Sequence, residues 1–118
     1  MILVDTSLWI DHFRSGNPKL RSLLYANEVL THPFVVGELA CGALRNRAEI
    51  LRHLKALPEA RLADHHEVLR FVENEQLYGR GIGWVDAHLL ASARLTGCRL
   101  WTLDKQLRLA AASLSLAV

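Results

Sequence analysis

Apolar and polar positions follow two rhythms along this chain. Ile2-Leu3-Val4 runs apolar without a break and stops at Asp5-Thr6-Ser7. A short unbroken run bounded by polar residues is the pattern of a strand buried on both faces. From Leu8 to Phe13 the spacing turns helical, with Ser7 as N-cap. Ser15-Gly16-Asn17-Pro18 is turn chemistry, and Leu20 to Ala26 reads as a second helix. Val29-Leu30-Thr31 is a short strand, after which Pro33 opens a helix that Gly42 can stop. Arg47 to Leu57 keeps the helical period at 50, 51, 54 and 57, and Pro58 ends it. Ala60 to Ala63 is expected as a third strand. His65 to Tyr78 is expected as a helix with Val68, Leu69, Val72 and Leu77 inward. Gly79, Gly81 and Gly83 make a glycine loop, and Val85 to Leu95 is a helix closed by Gly97. Arg99 to Leu103 is a strand ending at Asp104, Leu107 to Ala112 a helix, and Leu114 to Val118 a last strand. Strands alternating with helices predict an α/β fold with a parallel sheet covered on both faces.

Four acids interrupt this pattern in apolar places. Asp5 and Asp104 each follow a strand, where ligand sites of open parallel sheets lie. Glu38 is the only polar side chain between Phe34 and Leu44, and a glutamate on an apolar face is costly to bury unless paired or bound to metal. Asp86 lies in the first turn of its helix, where an acid alone would be a structural cap. Asp104 alone would equally be an N-cap. As a set they are more informative. If the strands before Asp5 and Asp104 are neighbours, four carboxylates converge, and their repulsion asks for a hard cation. Oxygen-only donors favour magnesium or manganese over zinc. Such ions orient a phosphodiester and activate water without a nucleophilic side chain. Ser7, Thr6 and Thr102 are placed to orient the acids by hydrogen bonds, although each serves equally as a plain cap or turn hydroxyl.

Size and composition change this picture little. The 118 residues fit one domain, residues 1–118, with room for a real core. No apolar run nears the ~20 residues of a membrane span, and no basic stretch precedes the first apolar run as in a secretory signal. Cys41 and Cys98 lack metal-ligand spacing and read as buried thiols of a reducing, cytoplasmic compartment. A net charge of +2 does not by itself argue a nucleic-acid partner.

Asp5-Thr6-Ser7, the lone Glu38, Gly83-Trp84-Val85-Asp86-Ala87-His88-Leu89-Leu90-Ala91-Ser92-Ala93 and Thr102-Leu103-Asp104 together resemble a PIN domain. The short length resembles, more narrowly, the VapC-type toxins of bacterial toxin–antitoxin pairs. The resemblance spans essentially the whole chain. It implies a three-layer α/β/α fold with strand order 3-2-1-4-5. It implies a magnesium- or manganese-dependent endoribonuclease with Asp5, Glu38, Asp86 and Asp104 as catalytic ligands. It also implies a homodimer, an RNA substrate and a VapB-type antitoxin, the pair binding operator DNA in a larger complex. One departure stands out. Many relatives carry a further acid and then an aromatic after the fourth acid, where this chain has Gln106 and Leu107. One tightly held ion, with a second recruited by substrate, fits that change.

Other readings are weaker. A phosphoacceptor domain needs paired acids after the first strand, and here two hydroxyls follow Asp5. A non-catalytic module whose acidic pocket receives a partner's arginine remains the alternative. His12, His32, His53, His65, His66 and His88 are scattered, with His88 turned away from Asp86, and do not read as a zinc site. Trp9, Trp84 and Trp101 read as core residues. Trp84, beside the glycine loop, is the one placed to touch RNA bases or a partner instead. Arg80, Arg94 and Lys105 read as surface charges before phosphate contacts. The RNA-binding residues are otherwise unassigned.

Overall fold

The computed structural model describes residues 1–118. The first strand, β1 (Ile2–Val4), carries Leu3 and Val4 with no solvent exposure. Successive strand residues point to opposite faces, so both faces of β1 are covered, as its unbroken apolar run predicts. β1 pairs in parallel with β2 (Val29–Leu30) on one side and β3 (Arg99–Trp101) on the other, giving the order β2-β1-β3. Single parallel bridges, Thr31 with Glu59 and Leu100 with Ala117, continue the sheet at its two edges.

Seven helices flank this sheet in an α/β/α arrangement: α1 (Thr6–Ser15), α2 (Pro18–Tyr25), α3 (Pro33–Ala40), α4 (Arg47–Ala56), α5 (His65–Asn74), α6 (Trp84–Thr96) and α7 (Lys105–Ser113). Among them α1 packs on α3, α3 on α4, α5 on α6, and α6 on β3. Leu8, Leu20, Leu39, Leu89, Leu90, Leu100 and Leu107 are fully buried or nearly so, and they join the strands in one core. Burying each such side chain is worth about 2 kcal/mol. No helix is long and apolar enough to cross a membrane.

Local chemistry sets where the helices start. Asn17, His32, Asp64 and Asp104 each accept a backbone N–H of the helix that follows, satisfying a donor that has no partner within the helix. Gly97 closes α6 in the left-handed conformation, φ 74°.

Several expected boundaries differ. α1 begins at Thr6, so Asp5 precedes it and Ser7 lies in its first turn rather than at the cap. Ala60 to Ala63 does not form a strand. The chain bridges the sheet only at Glu59, flanked by Pro58, which has no N–H to donate. Leu114 to Val118 likewise contributes one bridge. The fifth helix ends at Asn74, before Gln76 at φ 52°, and β3 ends at Trp101. Leu69 is exposed, while Val68 and Leu77 are buried as expected. Cys41 is exposed just past α3, where the helix has left the core, and Cys98 is buried.

Candidate active site

Parallel pairing of β1 with β3 brings Asp5 and Thr102 together across 97 positions of sequence. Asp5 is 7% exposed. Its Oδ2 accepts the hydroxyl of Thr102 at 2.6 Å and that of Ser7 at 2.8 Å. The two hydroxyls lie 3.3 Å apart. Each also accepts a backbone N–H from the turn after β3: Leu103 to Ser7 Oγ at 3.0 Å, Asp104 to Thr102 Oγ1 at 3.0 Å. The turn carrying Asp104 is therefore tied to the same two hydroxyls that hold Asp5.

The other three acids are held in a similar way. Asp104 accepts Leu107 N–H through Oδ1 at 2.9 Å, and Asp86 accepts Gly83 N–H through Oδ2 at 3.1 Å. Glu38 accepts the Thr6 hydroxyl through Oε1 at 2.7 Å. In each of the four carboxylates one oxygen is fixed by a protein donor and the other takes no protein hydrogen bond. None is neutralised by a cation, because the ion pairs of the chain are Met1 with Glu28 and Arg94 with Glu75.

The acids feel one another. Burial pushes the Asp86 carboxyl above the usual carboxylate range, and the charges of Asp5, Asp104 and Glu38 push it the same way. The Gly83 N–H bond opposes both effects. Thus the four expected residues share one electrostatic neighbourhood at the carboxyl end of the sheet. As they stand, no three histidine, cysteine, aspartate or glutamate side chains form a closed ligand set. Glu38 is also exposed rather than buried, so its isolation in an apolar stretch does not reflect a buried charge.

The PIN-domain profile matches residues 2–112 of the chain. The chain belongs to the PIN-domain family. It is 46% identical over 119 aligned positions to Ribonuclease VapC32 in two strains of Mycobacterium tuberculosis, covering 100% of this chain and 96% of the relative. The match makes it a PIN protein of the VapC type.

Thr6, one of the hydroxyls expected to orient the acids, holds Glu38 from the first turn of α1, and that pairing across 32 residues is one that periodicity does not announce. The histidines, scattered in sequence, partly gather in this PIN fold. His32 and His88 are buried, His65 Nδ1 stands 3.1 Å from His88 Nε2, and Phe34 and Trp84 pack on His88. The i, i+4 spacing of Trp84 and His88 on one helix face was the available signal.

Proposed function

We propose that this chain is an endoribonuclease, the toxin of a toxin–antitoxin pair, hydrolysing RNA phosphodiesters with magnesium or manganese held by Asp5, Glu38, Asp86 and Asp104. The observation carrying this reading is the set of four uncompensated carboxylates, each with one oxygen fixed and one free. The name of the relative, a ribonuclease, points the same way. The donors suit a hard cation, being all oxygen. Their open arrangement suits magnesium, which keeps several waters and binds through few carboxylates plus phosphate.

A bound divalent ion would supply charge for the phosphate and a water of lowered pKa. The chain's own part is positional. Ser7 and Thr102 fix the plane of Asp5, Gly83 fixes Asp86, and the first turn of α7 fixes Asp104. Gln106 adds no charge. Its side chain lies over Gly81, whose added Cβ would stand 3.3 Å from Gln106 Cγ. This supports one tightly held ion rather than two.

A VapB-type antitoxin is the proposed partner. A groove of about 790 Å³ lined by Ile10, Phe13, Leu39, Leu44 and Ile50 reaches Glu38, and Arg14 and Arg45 border it. An amphipathic segment of a partner fits such a surface. A homodimer, and a larger complex on operator DNA through the antitoxin, complete the proposal.

The test is cleavage of labelled RNA by the purified chain with magnesium or manganese, beside a chelator control. Cutting that persists in chelator would remove the ion from the reaction. Failure to cut any RNA with either ion would leave an acidic pocket that only receives a partner's basic side chain.

The hydroxyl network makes its own prediction. Thr102→Val removes one donor to a buried carboxylate and the acceptor for Asp104 N–H. A loss of about 2 kcal/mol in stability is expected. Cleavage should fall about tenfold or more, as when an outer contact of a ligand is lost. Urea denaturation and initial rates check the two effects separately. An unchanged rate would show that Asp5 needs no such orientation.

A further inference from the structure

Three arginines are held by side-chain hydrogen bonds, and the group that holds each one decides what it can still do. Arg47 closes the end of α3, its Nε and Nη2 both donating to the Ala40 carbonyl. Arg94 is paired with Glu75 and lies over the Phe71 ring. Arg80 is different. Its Nη1 donates to the Ser113 hydroxyl at 3.2 Å, and no carboxylate pairs with it. Ser113 Oγ is itself fixed, donating to the Ala110 carbonyl at 2.7 Å. A guanidinium held by a neutral group keeps its full charge and its remaining N–H donors for a ligand.

That charge borders an open cleft. Gly79, Arg80, Gly81, Gln106 and Leu109 line a space of about 510 Å³, and none of them is acidic. Gly79 and Gly81 turn the chain on either side of Arg80, with φ of 70° and 77°. Their N–H groups take no acceptor within the protein. Gln106 adds a side-chain amide, packed against Gly81. A cationic fork, an amide and unpaired backbone N–H groups are the donors that phosphate oxygens accept.

The cleft adjoins the acid group along two segments of chain. Two residues span at most about 7 Å. Gly81 is two residues from Gly83, whose N–H binds the Asp86 carboxylate, and Gln106 is two residues from Asp104. RNA repeats its phosphate at every nucleotide, so a strand with one phosphate at the acids carries others past their flank. Four acids without paired cations repel that strand. A fixed cation beside them offsets the repulsion and leaves the carboxylates themselves free.

Building on the ribonuclease reading, we infer that Arg80, with Gln106 and the backbone at Gly79 and Gly81, binds an uncut phosphate of the RNA that flanks the one at the acids. The ligand is a phosphodiester monoanion. Such a contact sets the register of the strand and reads no base.

The test uses the full chain carrying Asp5→Asn, to block cutting, and short labelled RNAs titrated over a range of salt at fixed magnesium. Arg80→Gln in this background should weaken binding about tenfold, equally for RNAs of unrelated sequence. It should also lessen the slope of log affinity on log salt by about 0.7, the share of one phosphate contact to a single strand. Arg94→Gln removes the same charge at the Glu75 pair and should leave the slope as it was. Neutral methylphosphonate links at successive positions then locate the phosphate. One link should weaken binding by the Asp5→Asn protein and make no difference once Arg80→Gln is added. An unchanged slope in Arg80→Gln overturns the inference, as does an equal fall in Arg94→Gln, which would mark a general effect of charge. So does the absence of any link that distinguishes the two proteins. Cutting by the unaltered chain separates the two readings. If it cuts RNA while Arg80→Gln binds as before, this inference alone fails; if it cuts none with either ion, the ribonuclease reading falls and this one with it.

Discussion

Asp5→Asn is expected to cut RNA cleavage by at least about 100-fold, beyond the loss typical of an outer contact. The fold should survive. Asparagine keeps the shape of aspartate, and its oxygen still accepts the Ser7 and Thr102 hydroxyls that hold Oδ2 now. What disappears is the charge, together with the oxygen that no protein group holds. Among the four acids this substitution is the most informative. Asp104 also caps α7 and Asp86 also accepts Gly83 N–H, so their replacement touches helix ends as well. Cleavage rate and thermal midpoint, measured on one preparation, read the two properties. A variant that cuts at the original rate would remove Asp5 from the chemistry.

The second large effect concerns acid. His32 is buried, 2% exposed, and burial drives its pKa down to about 4, with the His88 ring adding to the shift. The geometry gives a further reason. Nδ1 accepts the Phe34 N–H that starts α3, so protonation there would set two N–H groups against each other. Because the folded pKa lies below the ordinary 6.5, the neutral ring stabilises the fold fully above that value. The contribution is lost as pH falls from 6.5 toward about 4. The loss amounts to about 3 kcal/mol. Asp86 works in the opposite direction in metal-free protein: its carboxyl is raised, so its charge stops opposing folding as pH falls through the folded value. His32→Asn separates the two, since asparagine is a good cap and does not titrate. Urea denaturation over this range should show a flatter acid limb for the variant, from a lower starting stability. An identical limb would relieve His32 of this role.

The parts of the fold that sequence exposed are those whose local signal agrees with their tertiary setting. Leu3 and Val4 read as doubly buried because nothing polar interrupts them, and both faces of β1 are covered. Asp5 and Asp104 were legible because each ends an apolar run at the same edge of the sheet. The outer strands were legible in place but not in extent: runs were expected at Ala60 to Ala63 and Leu114 to Val118, but Glu59 and Ala117 each contribute one bridge, and no pattern of two predicts a single residue. Glu38 was singled out by the cost of burying it, yet it is exposed and held by Thr6. Its membership of the acid group comes from where α3 lies, which burial arguments do not address. The gathering of histidines stayed hidden for a similar reason. His32, His65 and His88 come from three segments, and only packing of α5 and α6 beside the end of β2 brings the rings together.

Asp5 and Thr102 meet through a separation of 97 residues, and that span bears on synthesis. A growing polypeptide emerges from the ribosome with this carboxylate well ahead of the hydroxyl that orients it. Until the segment from Arg99 to Asp104 leaves the exit tunnel, neither β3 nor its turn is present to hold Asp5. The carboxylate is thus left without its orienting hydroxyl until both ends of that span have been made and have folded together.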